Sequence, residues 1–219
     1  MHEKILIIDG SILLLSTANM TYSSLLMHDN FTIGLYSVDL ASFLTRRYNN
    51  WIQSIPFISN YSCKVGAQDI TFFFLPDKGQ TALRGLLKAL DEAKKEVSTA
   101  LFTFTHPQIV DKLSELHQKG VKINLFIDHY VACGATAKTL QKLEEVGIHS
   151  KVSRGLQLFH HKWAVIDDHT FVLGSANWTQ AAFKRNRDFI VLIHPLAKKQ
   201  IKFLNKVINT IKLESSDNK

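Results

Sequence analysis

The stretch HHKWAVIDDHTFVLGSAN, residues 160–177, decides how the rest of the chain is read. Its first half alternates as a strand does, so His160 and Lys162 project from one face while His161 and Trp163 point the other way. Asp167, Asp168, His169 and Thr170 form a short polar turn, and Phe171, Val172 and Leu173 return as a second strand ending at Gly174. The hairpin carries Ser175 and Asn177 back beside the start of the first strand. A base, a cation, two hydrogen-bonding side chains and a close-approach glycine are thereby gathered at one end of two strands.

The opening of the chain repeats this stretch. Shifted by 158 positions, HEKILIIDGSILLLSTANMT (residues 2–21) lies on residues 160–179 without a gap, matching His2 to His160, Lys4 to Lys162, Asp9 to Asp167 and Asn19 to Asn177. Ser16 and Thr17 stand where Gly174 and Ser175 do, so the hydroxyl is kept and the glycine is not. Downstream, His28, Asn30 and Phe31 fall opposite Asn186, Asp188 and Phe189. Helical patterns follow both copies, at about 38–52 and 196–212.

The pattern His-x-Lys, four residues, Asp, six residues, Gly-Ser-x-Asn resembles the HKD motif of the phospholipase D superfamily at every specified position. The segment TFFFLPDKGQTALRGLLKALDEAKKEVSTALFTFTHPQIVDKL is similar to the opening of the small single-motif members, the Nuc-type endonucleases and mitochondrial cardiolipin hydrolases, a likeness running from about Ile70 to Leu213. The second repeat therefore reads as complete. The first has nothing before its motif to match the ninety residues that separate Ile70 from His160. The expected organisation is a truncated first repeat over 1–52, a linker over 53–69 rich in Pro, Ser, Asn and Gly, a complete phospholipase D-like domain over 70–213, and a disordered tail over 214–219.

Between the two motifs, the sequence alternates strands and helices. Ile70 to Leu75 is a compact apolar strand, and Pro76 to Gly79 turns into a helix over 80–97 carrying Leu83, Leu86, Leu87 and Leu90. Strands follow at 99–104 and 121–127, helices after His106-Pro107 and over 135–146, and a short strand lies near Lys151. This order predicts a layered α/β fold: a mixed sheet flanked by helices, with a partial N-terminal repeat.

Composition sets outer bounds. The 219 residues are 46% apolar, enough for a sizeable core, and 26 basic against 19 acidic residues favour an anionic partner, nucleic acid or lipid surface alike. Cys63 and Cys133 have no metal-ligand spacing and read as reduced thiols, which fits the cytoplasm. The apolar run Ile5 to Leu15 is interrupted by Asp9 and preceded by Glu3, so it reads as two strands joined at Gly10-Ser11, not a signal peptide. No uninterrupted apolar stretch is long enough to cross a bilayer, so membrane contact would be peripheral.

Phosphodiester hydrolysis needs a nucleophile, a proton donor for the leaving oxygen, and positive charge around the nonbridging oxygens. The resemblance implies that one imidazole attacks phosphorus to give a phosphohistidine while a second protonates the leaving group and then activates water, with no metal and no cofactor. It assigns His160, Lys162, Asp167, Ser175 and Asn177 to catalysis, with His2, Lys4, Asp9 and Asn19 as the second set. Lys162, Ser175 and Asn177 would hold the phosphoryl oxygens, and Asp167 would help set charge and histidine geometry. Asp188 resembles the acidic residue the family places downstream as a histidine partner.

His160 would face either His2 within the chain or a second His160 across a homodimer; the dimer is preferred, since a terminal hairpin without its own sheet is a poor scaffold. Pairing with an absent N-terminal half would serve the same end. His161 is expected on a sheet face, Asp128 as a helix cap or a site carboxylate, and Lys184, Arg185 and Arg187 as a basic loop near the site. The expected substrate is a phospholipid; single-stranded nucleic acid and a catalytically silent binding remnant are the alternatives.

Overall fold

The computed structural model describes residues 2–55, 58–76, 80–155 and 157–218. Among these, the chain order is β1 (Ile5–Ile8), β2 (Ile12–Ser16), α1 (Tyr22–Leu26), β3 (Thr32–Tyr36), α2 (Val38–Ile52), β4 (Asn60–Val65) and β5 (Gln68–Phe74). It continues with α3 (Thr81–Asp91), β6 (Glu96–Leu101), α4 (Pro107–Gln118), β7 (Lys122–Ile127), α5 (His129–Ala132), α6 (Ala137–Glu145) and β8 (Ser150–Ser153). β9 (Lys162–Ile166), β10 (Thr170–Gly174), α7 (Gln180–Lys184), β11 (Phe189–His194), α8 (Lys198–Leu213) and β12 (Ser215–Asp217) complete it.

The described strands make a sheet of three, β1-β2-β3, and a sheet of nine in the order β12-β8-β7-β6-β9-β10-β11-β5-β4. β6, β7 and β8 run parallel and the other pairings are antiparallel, so the large sheet is mixed. Helices α3, α4 and α6 cover one face through Leu83, Leu86, Leu90, Leu113 and Leu143. The other face meets the small sheet together with α2 and α8, through Leu13, Leu15, Phe31, Leu40, Phe72, Trp163, Phe189 and Leu204. A sheet covered on both faces explains why β9 and β10 are buried at every position instead of alternating. Removing a side chain the size of Trp163 or Phe72 from water contributes about 1.5–3 kcal/mol each, so the two layers hold the site rigidly.

Two expectations need correction, and a third lies mostly outside the described residues. The expected linker contains β4, whose register Asn60↔Phe73 to Val65↔Gln68 adds an edge strand to the large sheet. Its alternating exposed and half-buried positions, typical of an edge, are too polar to stand out in sequence. The tail is not disordered throughout: β12 pairs with β8, and Ser215 donates to the Ile211 carbonyl at 2.6 Å. The turn expected at 76–79 falls mostly on residues 77–79, outside the described residues.

The sequence repeat is a structural repeat. β1 and β2 pair in the register of β9 and β10, Ile5↔Leu15 corresponding to Trp163↔Leu173. Both hairpins continue into a third strand, Leu15↔Ile33 corresponding to Leu173↔Val191. The short helices after each hairpin are capped alike, Thr21 accepting from the Ser24 amide and Thr179 from the Ala182 amide.

Candidate active site

Each hairpin presents its histidine at the mouth of its first strand, and the partner of each histidine comes from the other repeat. His2 Nδ1 lies 2.6 Å from Asp188 Oδ1, and His160 Nδ1 lies 3.1 Å from Asn30 Oδ1. Backbone bonds tie the same corners: the His2 amide donates to the Arg187 carbonyl at 2.7 Å and the His160 amide to the Asp29 carbonyl at 2.8 Å. The hydroxyls correspond too. Ser175 donates to Asp188 Oδ1 at 2.6 Å and Thr17 donates to Asn30 Oδ1 at 3.1 Å. The hydroxyl oxygens in turn accept the amides of Phe189 and Phe31 at 3.1 and 2.9 Å. Two half-sites therefore interlock about a pseudo-twofold axis.

The lysines lie within this core. Lys4 donates to the His2 carbonyl at 2.6 Å and Lys162 to the His160 carbonyl at 3.1 Å. Both are buried, Lys162 also lying 5.3 Å from the Phe102 ring centroid. Burial pushes the Lys4 ammonium down to about 8 against the pull of Asp188. Lys162 is held well below the ordinary lysine range, by burial first and then by Lys4, against the pull of Asp188 and Asp128. Burial, then Lys162, Lys4, His28 and His2, lower His160 to about 3, so its imidazole is neutral at pH 7. Two buried lysines crowded beside a neutral imidazole, with the Asp188 carboxylate already engaged by His2 and Ser175, make a site suited to a bound anion.

Ser175 thus serves as a positioning hydroxyl beneath Asp188 and His2, and Asp188 joins Ser175 to the opposite histidine. Asn177 and Asn19 are half-buried at the ends of their hairpins; Asn177 Oδ1 has no hydrogen-bond partner among the described residues, and the Asn19 amide donates to Ser24 Oγ at 2.9 Å.

Asp167 is not in this cluster, correcting the catalytic expectation. At the far end of β9, its carboxylate accepts the amides of Lys94, Lys95 and Glu96 at 2.6, 2.9 and 2.8 Å. Burial alone would raise its pKa, but these amides, Glu96 first, hold it below the usual carboxylate value. Its role is to seat the start of β6. Asp9 occupies the same place beyond β1, exposed and equally remote.

Gly174 also has a role other than anion approach: a Cβ there would lie 2.4 Å from the Phe189 carbonyl oxygen, so glycine permits β10 and β11 to close. Asp128 is a cap, accepting the amides of Tyr130 and Val131, and its other oxygen accepts the Phe159 amide at 2.9 Å, fixing the residue before His160. His161 is buried among Phe159, Phe31 and Trp163 with Nε2 3.1 Å from Asp29. Lys184 and Arg185 are exposed on the rim, while Arg187 packs its guanidinium over Trp51 at 4.9 Å.

Asn30 is the site residue missing from the sequence-derived set, although the 158-residue shift already placed it opposite Asp188. The preference for a dimer rested on the terminal hairpin, lacking its own sheet, being a poor scaffold for a precisely held histidine; in this chain His2 is held through its amide and its ring.

Residues 86–211 match the family model described as "Cardiolipin synthase, PLD-like domain". The mitochondrial cardiolipin hydrolase of Canis lupus familiaris is 33% identical over 116 residues, 52% of this chain and 45% of that protein, so the chain spans about half the length of such curated relatives. Among solved structures, Nuc from Salmonella typhimurium, a phospholipase D family member, superposes with a TM-score of 0.65 at 23% identity, covering 69% of this chain and 99% of that one. The phosphatidylserine synthase of Haemophilus influenzae gives a TM-score of 0.84 at 15% identity, covering 100% of this chain and 63% of that one.

Proposed function

The chain belongs to the family of cardiolipin synthase-type, phospholipase D-like domains, and on that premise we propose that it hydrolyses the phosphodiester bond of phospholipids through a covalent phosphohistidine. The observation that carries this reading is the interlocked pair of histidines, each oriented at Nδ1 by the opposite repeat, which leaves both Nε2 atoms for chemistry. One Nε2 attacks phosphorus, forming a P–N bond as the P–O bond to the leaving group breaks. The other imidazole, as imidazolium, gives its proton to the departing oxygen. Water then attacks phosphorus, the P–N bond breaks, and the water proton returns to the second imidazole. Lys4 and Lys162 hold the nonbridging oxygens throughout.

Phospholipid is favoured by the rim. Tyr22, Leu26 and Met27 on and beside α1 are 77%, 68% and 56% exposed, next to the segment that carries His28 and Asn30, and suit contact with an acyl-chain boundary. Peripheral contact is all that is implied: no described helix is long and apolar enough to cross a membrane.

The test is turnover of bis-p-nitrophenyl phosphate in EDTA, then competition by cardiolipin or phosphatidylglycerol vesicles against single-stranded DNA. Loss of about 1,000-fold or more in both His160→Asn and His2→Asn is expected, because residues that act as a unit fail together. Stronger competition by DNA would move the substrate to nucleic acid. Absence of turnover at any protein concentration would leave a binding remnant.

A further inference from the structure

Five apolar residues of the first repeat are exposed where their partners in the second repeat are buried. Leu6, Ile8, Ile12, Met20 and Leu25 are 45%, 36%, 39%, 57% and 56% exposed, whereas Ala164, Ile166, Thr170, Trp178 and Phe183 are at 0%, 2%, 5%, 1% and 3%. In the second repeat α3 and α4 pack over the counterparts Ala164, Ile166, Trp178 and Phe183, and one continuous segment, residues 94–106, closes the strand edge beside them. β6 pairs antiparallel with β9 from Val97↔Ile166 to Leu101↔Lys162. Beyond it, the Trp178 carbonyl accepts the amides of Thr105 and His106, and the Phe183 ring lies 5.1 Å from His106. The segment enters through the three amides held by Asp167.

The first repeat keeps the counterpart of that carboxylate. Asp9 has the same left-handed backbone, φ 49° against 52° at Asp167, yet its side chain has no hydrogen-bond or ion-pair partner among the described residues. Among the described residues β1 is likewise an edge with strand pairing on one side, where β9 is paired on both. A strand edge, an apolar face and an unused acceptor in a costly conformation coincide on one surface.

We infer that this surface takes a polypeptide segment built like residues 94–106: three successive amides seated on Asp9, then a strand antiparallel to β1, then a loop over Met20 and Leu25. The carboxylate supplies charge complementarity to the amide cluster, and the second repeat supplies the register.

The test is a fusion that places residues 70–159 a second time, directly ahead of His2, compared with the parent chain by hydrogen exchange. Amides of residues 4–8 that exchange freely in the parent are expected to slow by about tenfold or more in the fusion. Asp9→Asn should reverse much of this in the fusion and leave the parent unchanged. If the fusion does not fold, a synthetic peptide of residues 91–108 offered to the parent chain should bind saturably, and about tenfold more weakly to Asp9→Asn. Equal exchange in fusion and parent, or no saturable peptide binding, would overturn the inference. So would protection of residues 4–8 in a parent dimer, or only on anionic vesicles, which would make a second copy or a lipid surface the occupant.

Discussion

Asn30 presents its side-chain oxygen to His160 Nδ1 at 3.1 Å, and the direction of that contact is fixed by the amide's other bonds. Nδ2 of Asn30 donates to the carbonyls of Ser24 and His28 at 2.7 and 3.3 Å, while Oδ1 accepts from Thr17. Nδ1 of His160 is therefore the donor, and its Nε2 carries the lone pair. Opposite, Asp188 gives His2 a carboxylate. The two half-sites share a frame and differ in charge.

Asn30→Asp tests that difference. An anion against His160 favours the imidazolium, so the His160 pKa rises from about 3. Whichever limb of the pH profile of kcat/KM reports His160 should move upward by about one unit or more, measured on bis-p-nitrophenyl phosphate, with the other limb in place. An unchanged profile would show that Asn30 does not act on His160.

Much of the fold and half of the site could be read from spacing alone, because the hairpin periodicity and the 158-residue repeat are local or exactly translated patterns. The crossing of the two repeats could not: His2 and Asp188 are 186 residues apart, and nothing in either motif says which copy orients which histidine. The place of Asp167 is hidden for a related reason. It belongs to the motif by spacing, but its partners at 94–96 belong to another strand-entry turn, visible only once β6 lies against β9. β4 leaves little trace in the sequence because an edge strand needs few apolar residues.

Lys4 predicts a pH-dependent anion site. Its ammonium, pushed down to about 8 by burial, is charged below that pH and is lost above it. Sulfate keeps its charge across this range, so its stabilisation of the fold, read as a shift in Tm, should weaken as pH rises through about 8. Lys4→Met should lower sulfate affinity by about tenfold at pH 7 and remove the pH dependence due to this group. A sulfate shift equally large at pH 7 and pH 9 would count against Lys4 as a ligand.

Asp167→Asn should cost stability, not chemistry. Asparagine tolerates the left-handed backbone and keeps one acceptor but loses the charge that holds three amides, a change worth about 1–2 kcal/mol. The depressed carboxyl of the folded protein contributes stability above the unfolded carboxyl pKa and loses it as pH falls through the folded value. The variant should thus unfold at lower urea at pH 7 and converge on the parent in acid. Per folded molecule, kcat/KM should match the parent, whereas Asp188→Asn should lose activity because its carboxylate contacts His2 and Ser175.

Gly174→Ala should damage fold and site together. The added methyl meets the Phe189 carbonyl oxygen at 2.4 Å and the Ile190 Cα at 3.3 Å, both backbone atoms of a strand locked between β10 and β5, so the neighbour cannot swing aside. Relief requires β10 and β11 to part, at about 1–3 kcal/mol or more. The displaced residues are the pair that orient His2, since the Ser175 amide donates to that same Phe189 carbonyl and Ser175 Oγ bonds Asp188. Urea unfolding should show the loss of stability, and kcat should fall in the fraction still folded. An alanine variant with parental kcat and an unchanged midpoint would mean that the strands separate without carrying Asp188 with them.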